Sequence, residues 1–509
     1  MKFGAKLYKG VKIACFFIIV VFLIGTAAKV MQRKDAIEKY DNFFQMADQI
    51  DVLFLGSSHV MNAINPVQLY AEKGITSYNM SKSGGMITES YWTLVNALDY
   101  CEPECVVVDL WAMDRNYTYL DIQNGTESEG EIKNAISLLH NNFDAFPLSK
   151  NKIAAINDLI SDKEIRKEFY WDFTLYHDRW SKLSKKDFGV LEGSIYNRNE
   201  LLGAMRITEH EDEMRLYQAQ DIGECVPEDT VCLQYLYKIL DLCEERGIQV
   251  IMTFLPMGSS HEQDWQAVNT GYKVQEERGI PFIDMLPLKT QSVIDYDTDM
   301  CDDTHVNNNG MRKITSYLGE FLKNNTNLTD HRNDAAYGIW NEKVNLWQQG
   351  ERELLFAQQN LYQKLGQIQN TSANAVIFMP GGSQALQDEL VRKFIKQLSG
   401  TNVVDNAAAV TGPYLYIRDT TDIMNSGIKH IEFAGEIQPE PFDSLLGEVT
   451  YLGLNNFGAV YVNEDFENNY LDMEKHYLTE IQILLLDESG NVMQHFVYDP
   501  VWDNMKIIE

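Results

Sequence analysis

Basic residues are scarce in this sequence of 509 residues, in which 43 Lys and Arg stand against 74 Asp and Glu and the formal net charge is −31. Nucleic-acid binding depends on clustered Lys and Arg that neutralise phosphates, so we expect no nucleic-acid partner. The 12 prolines and 32 glycines follow no period, which argues against collagen and repeat architectures. Seven cysteines are far too few for a disulfide scaffold, and they leave the redox compartment open.

Apolar residues, by contrast, are plentiful enough to build large cores. Hydrophobic side chains make up 45% of the chain and aromatic ones 11%, which excludes general disorder. A chain of this length typically folds as two or three domains.

The start of the chain predicts a membrane anchor. Residues 13–28 form an uncharged apolar run of sixteen. As a helix this run spans roughly 24 Å, against a hydrocarbon core of about 30 Å. Lys12 and Lys29 lie at its two ends, where long side chains extend to the membrane interfaces.

These features predict a single-pass protein of the cell membrane. We expect a cytoplasmic tail (1–12), a transmembrane anchor (13–30) and a helical spacer (31–48), with the bulk of the chain extracytoplasmic. Two alternatives stay open: a secretion signal cleaved after Ala28, and a cytosolic protein.

Strand and helix patterns alternate after the spacer. Short apolar segments are typical of buried strands, and segments with a period near 3.6 residues predict helices. The predicted strands cover residues 51–55, 75–80, 105–111, 248–254 and 280–285. The predicted helices cover residues 89–98, 230–246, 262–277 and 309–322. This alternation predicts an α/β domain at 49–330, with a parallel sheet flanked by helices and a helical insertion at about 112–229.

A different pattern follows this domain. Residues 331–372 are interpreted as a helical linker, because helical periodicity runs over 340–368. Residues 373–509 combine strands with a helix at 383–398 and end in a hairpin at 480–498. We expect an α+β domain there, and nothing in it forms an obvious catalytic arrangement.

Two polar motifs stand next to predicted helix starts. Gly56-Ser57-Ser58-His59 follows the first strand directly, so the Ser58 hydroxyl is expected above the sheet edge, beside N–H groups that can hold an oxyanion. Asp302 and His305 are three residues apart before the last helix of the domain. A serine hydroxyl needs an imidazole to take its proton, and the imidazole needs a carboxylate that fixes its tautomer. The two motifs supply that set of side chains, although Asp303 is an alternative carboxylate.

Three segments resemble blocks of the SGNH (GDSL-like) hydrolase family. Gly56-Ser57-Ser58 is similar to the first block, with Ser58 at the nucleophile position and Ser57 in place of the usual Asp. Asn79-Met-Ser-Lys-Ser-Gly84 resembles the second block, and Asp302 with His305 matches the fifth. The resemblance covers roughly residues 49–325.

This resemblance implies a serine hydrolase mechanism. Ser58 is the expected nucleophile, His305 the general base and Asp302 its orienting partner. The backbone N–H groups of Ser58 and Gly84 are the expected oxyanion donors. No metal and no organic cofactor is implied.

The third block of the family is where the sequence departs from the pattern. The family has Gly-x-Asn-Asp after a strand, whereas the corresponding positions here are Trp111-Ala-Met113-Asp114. Met113 therefore replaces the oxyanion Asn, unless Arg115 or Asn116 takes over its function.

Within the family, the first block and the N-terminal anchor look most like two groups of membrane-tethered proteins. These are the D-alanyl-transfer protein of teichoic acid modification and the O-acetylation proteins of alginate and other exopolysaccharides. Proteins of both groups work beside a membrane-bound O-acyltransferase. The resemblance therefore implies, as partners, a cell-surface polysaccharide or teichoic acid and such an acyltransferase.

Three further residues are candidates for substrate binding. His59 is adjacent to the nucleophile, and His177 and Arg179 lie in the aromatic-rich insertion, which is predicted to cover the nucleophile turn. These segments also have structural interpretations. A residue in the position of His59 is more often a packing residue. The aromatic residues of the insertion, Tyr170, Phe173 and Trp180, are more often the core of a helical cap than a sugar groove.

The expected function is O-acyl transfer or ester hydrolysis on an extracytoplasmic polysaccharide. The alternative is a catalytically inactive protein of the same fold that binds glycan or assists a membrane O-acyltransferase. Met113 favours the alternative, whereas the intact set of Ser58, Asp302 and His305 favours catalysis.

Overall fold

The protein is described by a computed structural model. The described residues are 2–31, 34–116, 118, 128–170, 177–192, 200–210, 217–218, 222–286, 293–410, 412–423, 427–435, 442–444, 447–454, 457–462, 481–499 and 504–508.

The chain divides into two compact units. The N-terminal unit consists of Met1–Arg206, Leu216–Val293 and Lys313–Val344. The C-terminal unit consists of Ile207–Arg215, Ile294–Arg312 and Asn345–Glu509.

Helices and strands account for most of the described chain. The helices are α1 (Lys2–Met31), α2 (Lys34–Met46), α3 (Ser58–Ala63), α4 (Pro66–Lys73), α5 (Ile87–Ala97), α6 (Glu129–Phe143), α7 (Lys150–Leu159), α8 (Lys163–Tyr170), α9 (Lys185–Glu192), α10 (Val231–Arg246), α11 (Glu262–Arg278), α12 (Tyr296–Asp299), α13 (Asn308–Asn325), α14 (Gly338–Ala357), α15 (Leu361–Asn370), α16 (Gln384–Gln387), α17 (Glu389–Ser399) and α18 (Val403–Val410). The strands are β1 (Val52–Leu55), β2 (Ser77–Asn79), β3 (Cys105–Asp109), β4 (Gln249–Phe254), β5 (Phe282–Asp284), β6 (Asn374–Met379), β7 (Tyr414–Asp419), β8 (Lys429–Ala434), β9 (Phe442–Ser444), β10 (Gly447–Leu454), β11 (Phe457–Val462), β12 (Ile481–Leu486), β13 (Val492–Asp499) and β14 (Asn504–Ile508). Short 3₁₀ segments cover Ala47–Gln49, His177–Lys182 and Ala335–Tyr337, and a two-residue pairing joins Tyr217–Gln218 to Ser259–Ser260.

A five-stranded parallel sheet forms the centre of the N-terminal unit. Its strand order is β2-β1-β3-β4-β5, and every neighbouring pair is parallel. All residues of β1 and β3 are buried, as expected for strands covered by helices on both faces. This confirms the predicted α/β class, although β3 ends at Asp109, two residues before the predicted end.

The helical insertion carries its own small core. Helices α6, α7 and α8 bring Leu139, Phe143, Ile156 and Phe169 together in one buried cluster. Tyr170 packs against this cluster, as predicted for a helical cap. Trp180, in contrast, is 72% exposed, so its assignment to the cap core is wrong. Phe173 lies outside the described residues.

The first helix is the longest in the described chain. Gly10–Met31 within α1 has a mean hydropathy of 2.5, so this segment is long and apolar enough to cross a membrane. A signal sequence near the start of a chain has the same properties.

The C-terminal unit is built on antiparallel pairing. Its six-stranded sheet has the order β8-β7-β6-β12-β13-β14, and β9, β10 and β11 form a separate three-stranded sheet. Side chains of α15, α17 and α18 pack on one face of the large sheet, where Leu365, Phe394, Ile377, Tyr416 and Ile483 share one core. This confirms the predicted α+β fold and its terminal hairpin, which β12 and β13 form.

Two of the predicted helices are interrupted. The predicted helix at 340–368 is α14 and α15, and Asn360 caps α15 by accepting hydrogen bonds from the N–H groups of Tyr362 and Gln363. The predicted helix at 383–398 is α16 and α17, and Asp388 caps α17 in the same way. Asn and Asp favour caps because their short polar side chains bond free N–H groups, so a continuous apolar period concealed both breaks.

Candidate active site

The turn that carries Ser58 lies at the topological switch point of the parallel sheet. Chain connections from β1 lead to β2 on one side, whereas β3 lies on its other side. In open parallel sheets, ligands bind outside the carboxyl ends of the strands at such a point. Ser58, directly after β1, and Trp111, shortly after β3, therefore stand at the edge where a ligand is expected.

A tight backbone turn places Ser58 at the start of α3. Gly56 has φ of 154°, and a Cβ atom on it would lie 2.5 Å from a methyl carbon of Val60. Ser57 caps the helix, since its hydroxyl accepts a hydrogen bond from the His59 N–H at 3.3 Å. The sequence order strand, Gly, Ser, Ser thus makes Ser58 the first residue of α3, with the capping function taken by Ser57.

The loop that carries Gly84 packs against this turn. The Lys82 N–H donates to the Gly56 carbonyl at 3.0 Å, and a Cβ atom on Gly85 would lie 2.9 Å from the same carbonyl oxygen. Asn79 supports the loop, because its Nδ2 donates to the carbonyls of Val60 and Ile64 at 2.9 Å each. Gly84 has φ of 61°, a left-handed conformation that favours glycine.

Two buried charged residues, Lys82 and Glu89, hold the other side of this loop. Lys82 lies 4.0 Å from the centre of the Phe143 ring and donates to the Asn142 carbonyl at 3.3 Å. Burial lowers the pKa of Lys82 to about 7, and burial likewise raises the pKa of Glu89. Glu89 accepts hydrogen bonds from Met86 N–H and from the side chain of Asn142. The loop is thereby fixed to α5 and α6.

The third-block segment has no amide side chain at the expected position. Met113 is 0% exposed, so its thioether is part of the core. Trp111 contacts the candidate His59, with the two ring centres 4.9 Å apart, and the guanidinium of Arg115 lies 5.8 Å from the Trp111 ring. Asn116 instead accepts a hydrogen bond from the Val231 N–H at 3.3 Å, at the start of α10. Of the two possible substitutes for the family's Asn, Arg115 is the one that the described contacts place beside Trp111.

Asp302 and His305 form a hydrogen-bonded pair in the C-terminal unit. Nδ1 of His305 lies 2.9 Å from Oδ2 of Asp302, and the His305 backbone N–H donates to Oδ1 at 2.7 Å. The side chains are 51% exposed for Asp302 and 24% for His305. Partial burial tends to raise the pKa of Asp302, but hydrogen bonds from Thr304 and His305 outweigh it and hold this pKa below its ordinary value. An ionised Asp302 fixes the imidazole so that Nε2 is the nitrogen left for a proton transfer.

A compact loop presents this pair. Met300 and Val306 form an antiparallel bridge, and the Cys301 N–H donates to the His305 carbonyl at 3.0 Å. The Asn307 side chain closes the loop by donating to the carbonyls of Thr298 and Met300 at 2.9 and 3.2 Å. The predicted Asp-His spacing is confirmed as a local contact, whereas its approach to Ser58, in the other unit, stays a prediction.

The candidate substrate-binding residues have different surroundings. His59 is only 5% exposed and packs against Trp111. Arg179 pairs with Asp187 at 3.1 Å and donates to the Met31 carbonyl. The side chain of His177 lies outside the described residues. A role in substrate binding remains a prediction for all three.

The structure adds acidic residues that the sequence patterns did not single out. Asp109, at the end of β3, is buried and accepts hydrogen bonds from the N–H groups of Trp111 and Leu255. Burial raises its pKa to about 7. Burial also raises the pKa values of Asp114 and Asp264, and repulsion from Asp114 raises the pKa of Asp264 further. The sequence signal for these residues was their position: Asp109 ends β3, Asp114 lies in the segment after β3, and Asp264 lies in the first turn of α11, the helix that follows β4.

Within the described part of the chain, no group of three or more His, Cys, Asp or Glu side chains is arranged to hold a metal ion.

Comparisons with known proteins give a limited picture. No family model matches the sequence, and no curated protein matches it. Among solved structures, the chain is similar to an acetyl xylan esterase (Est2A) from the rumen bacterium Butyrivibrio proteoclasticus, at 8% identity and a TM-score of 0.22. The match covers 54% of this chain and 64% of that one, so the chain spans less than two thirds of the esterase's length. The fold assignment therefore rests on the strand order and register of this chain: it is an α/β protein with a five-stranded parallel sheet and a separate antiparallel sheet.

Proposed function

We propose that the protein is a membrane-anchored serine esterase or acyltransferase of the SGNH type, which acts on O-acyl groups of a cell-surface polysaccharide. The observation that carries the proposal is the Asp302–His305 pair, in which a carboxylate engages Nδ1 at 2.9 Å. Such a pair is the general-base half of a serine hydrolase triad.

The nucleophile turn supports the same chemistry. Ser58 is the first residue of a helix that follows a buried strand, so its backbone N–H belongs to a helix N-terminus, where negative charge is stabilised. The Gly84 loop is held beside this turn by the Lys82–Gly56 hydrogen bond. In the proposed step, Ser58 Oγ attacks the acyl carbonyl as its proton passes to His305 Nε2. The Ser58 and Gly84 amides stabilise the oxyanion, and His305 then protonates the departing sugar oxygen.

A specific observation keeps a second function in view. Met113 is fully buried where the family has an oxyanion Asn. In a serine hydrolase, one oxyanion donor lowers the activation barrier by roughly 3–4 kcal/mol. The absence of this donor is expected in a catalytically inactive protein that binds glycan or assists a membrane O-acyltransferase. Arg115, which lies against Trp111, is the residue that would supply the third donor in an active enzyme.

The cellular setting is part of the proposal. The apolar α1 supports anchoring by one N-terminal helix with an extracytoplasmic body. The acceptor or donor is then a polysaccharide or teichoic acid of the cell surface, and a membrane-bound O-acyltransferase is the expected partner.

The first prediction concerns an activated serine. A fluorophosphonate probe should label the full-length protein in detergent. His305 removes the Ser58 proton, and Ser58 Oγ then attacks the phosphorus of the probe and displaces fluoride, as it would attack an acyl carbonyl in the proposed reaction. Ser58→Ala and His305→Ala should abolish labelling. Intact-protein and peptide mass spectrometry check the site.

Ser57→Ala is the matched control, since it removes the neighbouring hydroxyl and only one capping hydrogen bond. It should keep most of the labelling. A folded wild-type protein without labelling, or labelling retained in Ser58→Ala, would overturn the catalytic proposal in favour of the binding protein.

A further inference from the structure

A cavity of about 380 Å³ lies within the C-terminal unit, remote in sequence from the candidate catalytic residues. It is enclosed by one face of α14, by the segment between α15 and β6, and by the turn between β12 and β13. Its size falls within the range of about 300–1,000 Å³ that is usual for small-ligand sites.

Two aromatic rings give the cavity apolar walls. Trp347 and Phe356 are each half-buried on α14 and lie along its lining. The Trp347 indole is held in place, because its Nε1 donates to Glu351 at 3.2 Å. Rings fixed in this way offer flat surfaces to the C–H faces of a sugar without a large loss of side-chain entropy on binding.

Polar side chains also line the cavity. Arg352 is exposed, with its guanidinium 6.0 Å from the Phe356 ring and Nη2 3.3 Å from the Met493 sulfur. Ser372 is exposed and adds a hydroxyl to the lining, whereas the amide of Asn370, also a lining residue, is bonded to Asn309 and Arg312. Planar and hydroxyl groups of this kind bond the equatorial hydroxyls of a pyranose.

The charge of the lining selects among ligands. The described lining contains three acidic residues, Glu351, Asp487 and Glu488, and one cationic residue, Arg352, and the Glu351 carboxylate is bonded to Asn308 and Gln367. An anionic ligand such as a polyuronate or a polyol phosphate is repelled by this balance, whereas a neutral sugar is not.

We propose that this cavity is a binding subsite for a neutral pyranose of an oligosaccharide or polysaccharide chain. The inference extends the proposed function, since an enzyme that acts on glycan esters needs to hold the glycan, and it narrows the substrate class to neutral glycans. It also gives a role to the C-terminal unit.

The test is isothermal titration calorimetry on the full-length protein in detergent. The probes are neutral hexasaccharides of β-1,4-linked glucose, xylose, mannose and N-acetylglucosamine, with polygalacturonate as the anionic comparison. We expect at least one neutral hexasaccharide to bind, and Trp347→Ala to weaken that binding at least about tenfold. Ser372→Trp, which fills the cavity from an exposed position, should weaken it in the same way.

Tyr317→Ala is the control, because Tyr317 is an exposed aromatic residue that lies outside the cavity lining. It should leave the affinity unchanged. Thermal melts of each variant separate a lost contact from a lost fold, and Ser372→Trp provides the second measurement if Trp347→Ala does not fold.

The outcome is independent of catalysis. Binding that persists in Ser58→Ala, and that the cavity variants remove, supports the subsite even if fluorophosphonate labelling fails. No binding of any neutral hexasaccharide, binding of polygalacturonate alone, or affinity unchanged by both cavity variants would overturn the inference, and would leave the labelling result to decide the proposed function.

Discussion

The Asp302–His305 pair is a product of local chain geometry. The carboxylate of Asp302 accepts hydrogen bonds from the backbone N–H groups of Thr304 and His305, at 2.8 and 2.7 Å, and these bonds turn it toward the imidazole. Asp303, one residue further on, is exposed and takes no part in this arrangement in the described contacts. The structure thus places Asp302, which is one residue further from His305 in sequence than Asp303, on Nδ1.

This arrangement predicts a clear difference between two neighbouring substitutions. Asp302→Asn should slow fluorophosphonate labelling of Ser58 by about 10³–10⁴-fold, because an amide holds the imidazole in the wrong tautomer for a base at Nε2. Asp303→Asn should label at the wild-type rate. Labelling rates measured against probe concentration check both, and equal rates in the two variants would remove Asp302 from the triad.

Asp109 predicts a pH dependence of stability. Burial raises its pKa to about 7 in the folded protein, from an ordinary value of 3.8. Between these values the folded protein keeps a proton that the unfolded chain releases, so the free energy of unfolding should fall as pH rises from about 4 to about 7. The linked change is on the order of 4 kcal/mol.

Asp109→Asn keeps the shape of the side chain and removes this titration. Denaturant unfolding at several pH values should show a flatter profile in this variant than in the wild type. The control is Asp303→Asn, which removes an exposed carboxylate and should retain the wild-type profile. Profiles with the same pH dependence in Asp109→Asn and in the wild type would contradict this account of Asp109.

At the scale of elements, the loop with Asp302 and His305 is tied to helices of the C-terminal unit. Glu351 on α14 is buried and accepts hydrogen bonds from Asn308 at 2.6 Å and from Gln367 at 2.6 Å. Asn308 begins α13, three residues after His305. Lys393 on α17 pairs with Asp297 on α12, on the other side of the loop. These contacts explain why Ile294–Arg312 groups with the C-terminal unit.

Glu351→Gln should therefore affect the candidate base as well as the fold. The new amide places N–H groups opposite the donors of Asn308 and Gln367, which costs about 1–3 kcal/mol for a buried site. We expect a lower melting temperature and slower labelling of Ser58, by about tenfold, at a temperature well below the melt.

The control on the same helix is Glu353→Gln, because Glu353 is exposed and bonds only Gln349 in the described contacts. It should change neither quantity. Labelling at the full rate in a destabilised Glu351→Gln would show that the network supports the fold and not the position of His305.

At the scale of the whole molecule, the two units carry different parts of the proposed chemistry. The N-terminal unit contributes Ser58 and Gly84 and the apolar α1, and the C-terminal unit contributes Asp302, His305 and the cavity beside Trp347. The sequence predicts domain bounds at 330 and 373. These bounds differ from the division into two compact units, and they stay a prediction.

The anchor predicts the behaviour of the intact chain. Full-length protein produced in bacterial cells should stay in the membrane fraction after an alkaline carbonate wash, because an apolar helix of about 20 residues is held by the hydrocarbon core. Its mass should include residues 1–28. Release of a shorter protein that begins after Ala28 would establish a cleaved signal sequence instead.

The sequence by itself determined the features that depend on neighbours along the chain. The apolar runs of β1 and β3, the Gly-Ser-Ser turn and the Asp-x-x-His spacing are local, so periodicity and residue type were sufficient to predict them. The α/β class of the first region and the α+β class of the second follow from the order of those local patterns.

Only the tertiary structure decided which distant segments meet. The strand order β2-β1-β3-β4-β5 sets the switch point, and the packing beside it brings the rings of His59 and Trp111 to 4.9 Å between their centres. The contact of Glu351 with Asn308 joins side chains 43 residues apart. Such contacts depend on the packing of whole faces and on the desolvation of polar groups, and neither is encoded in the period of any one segment.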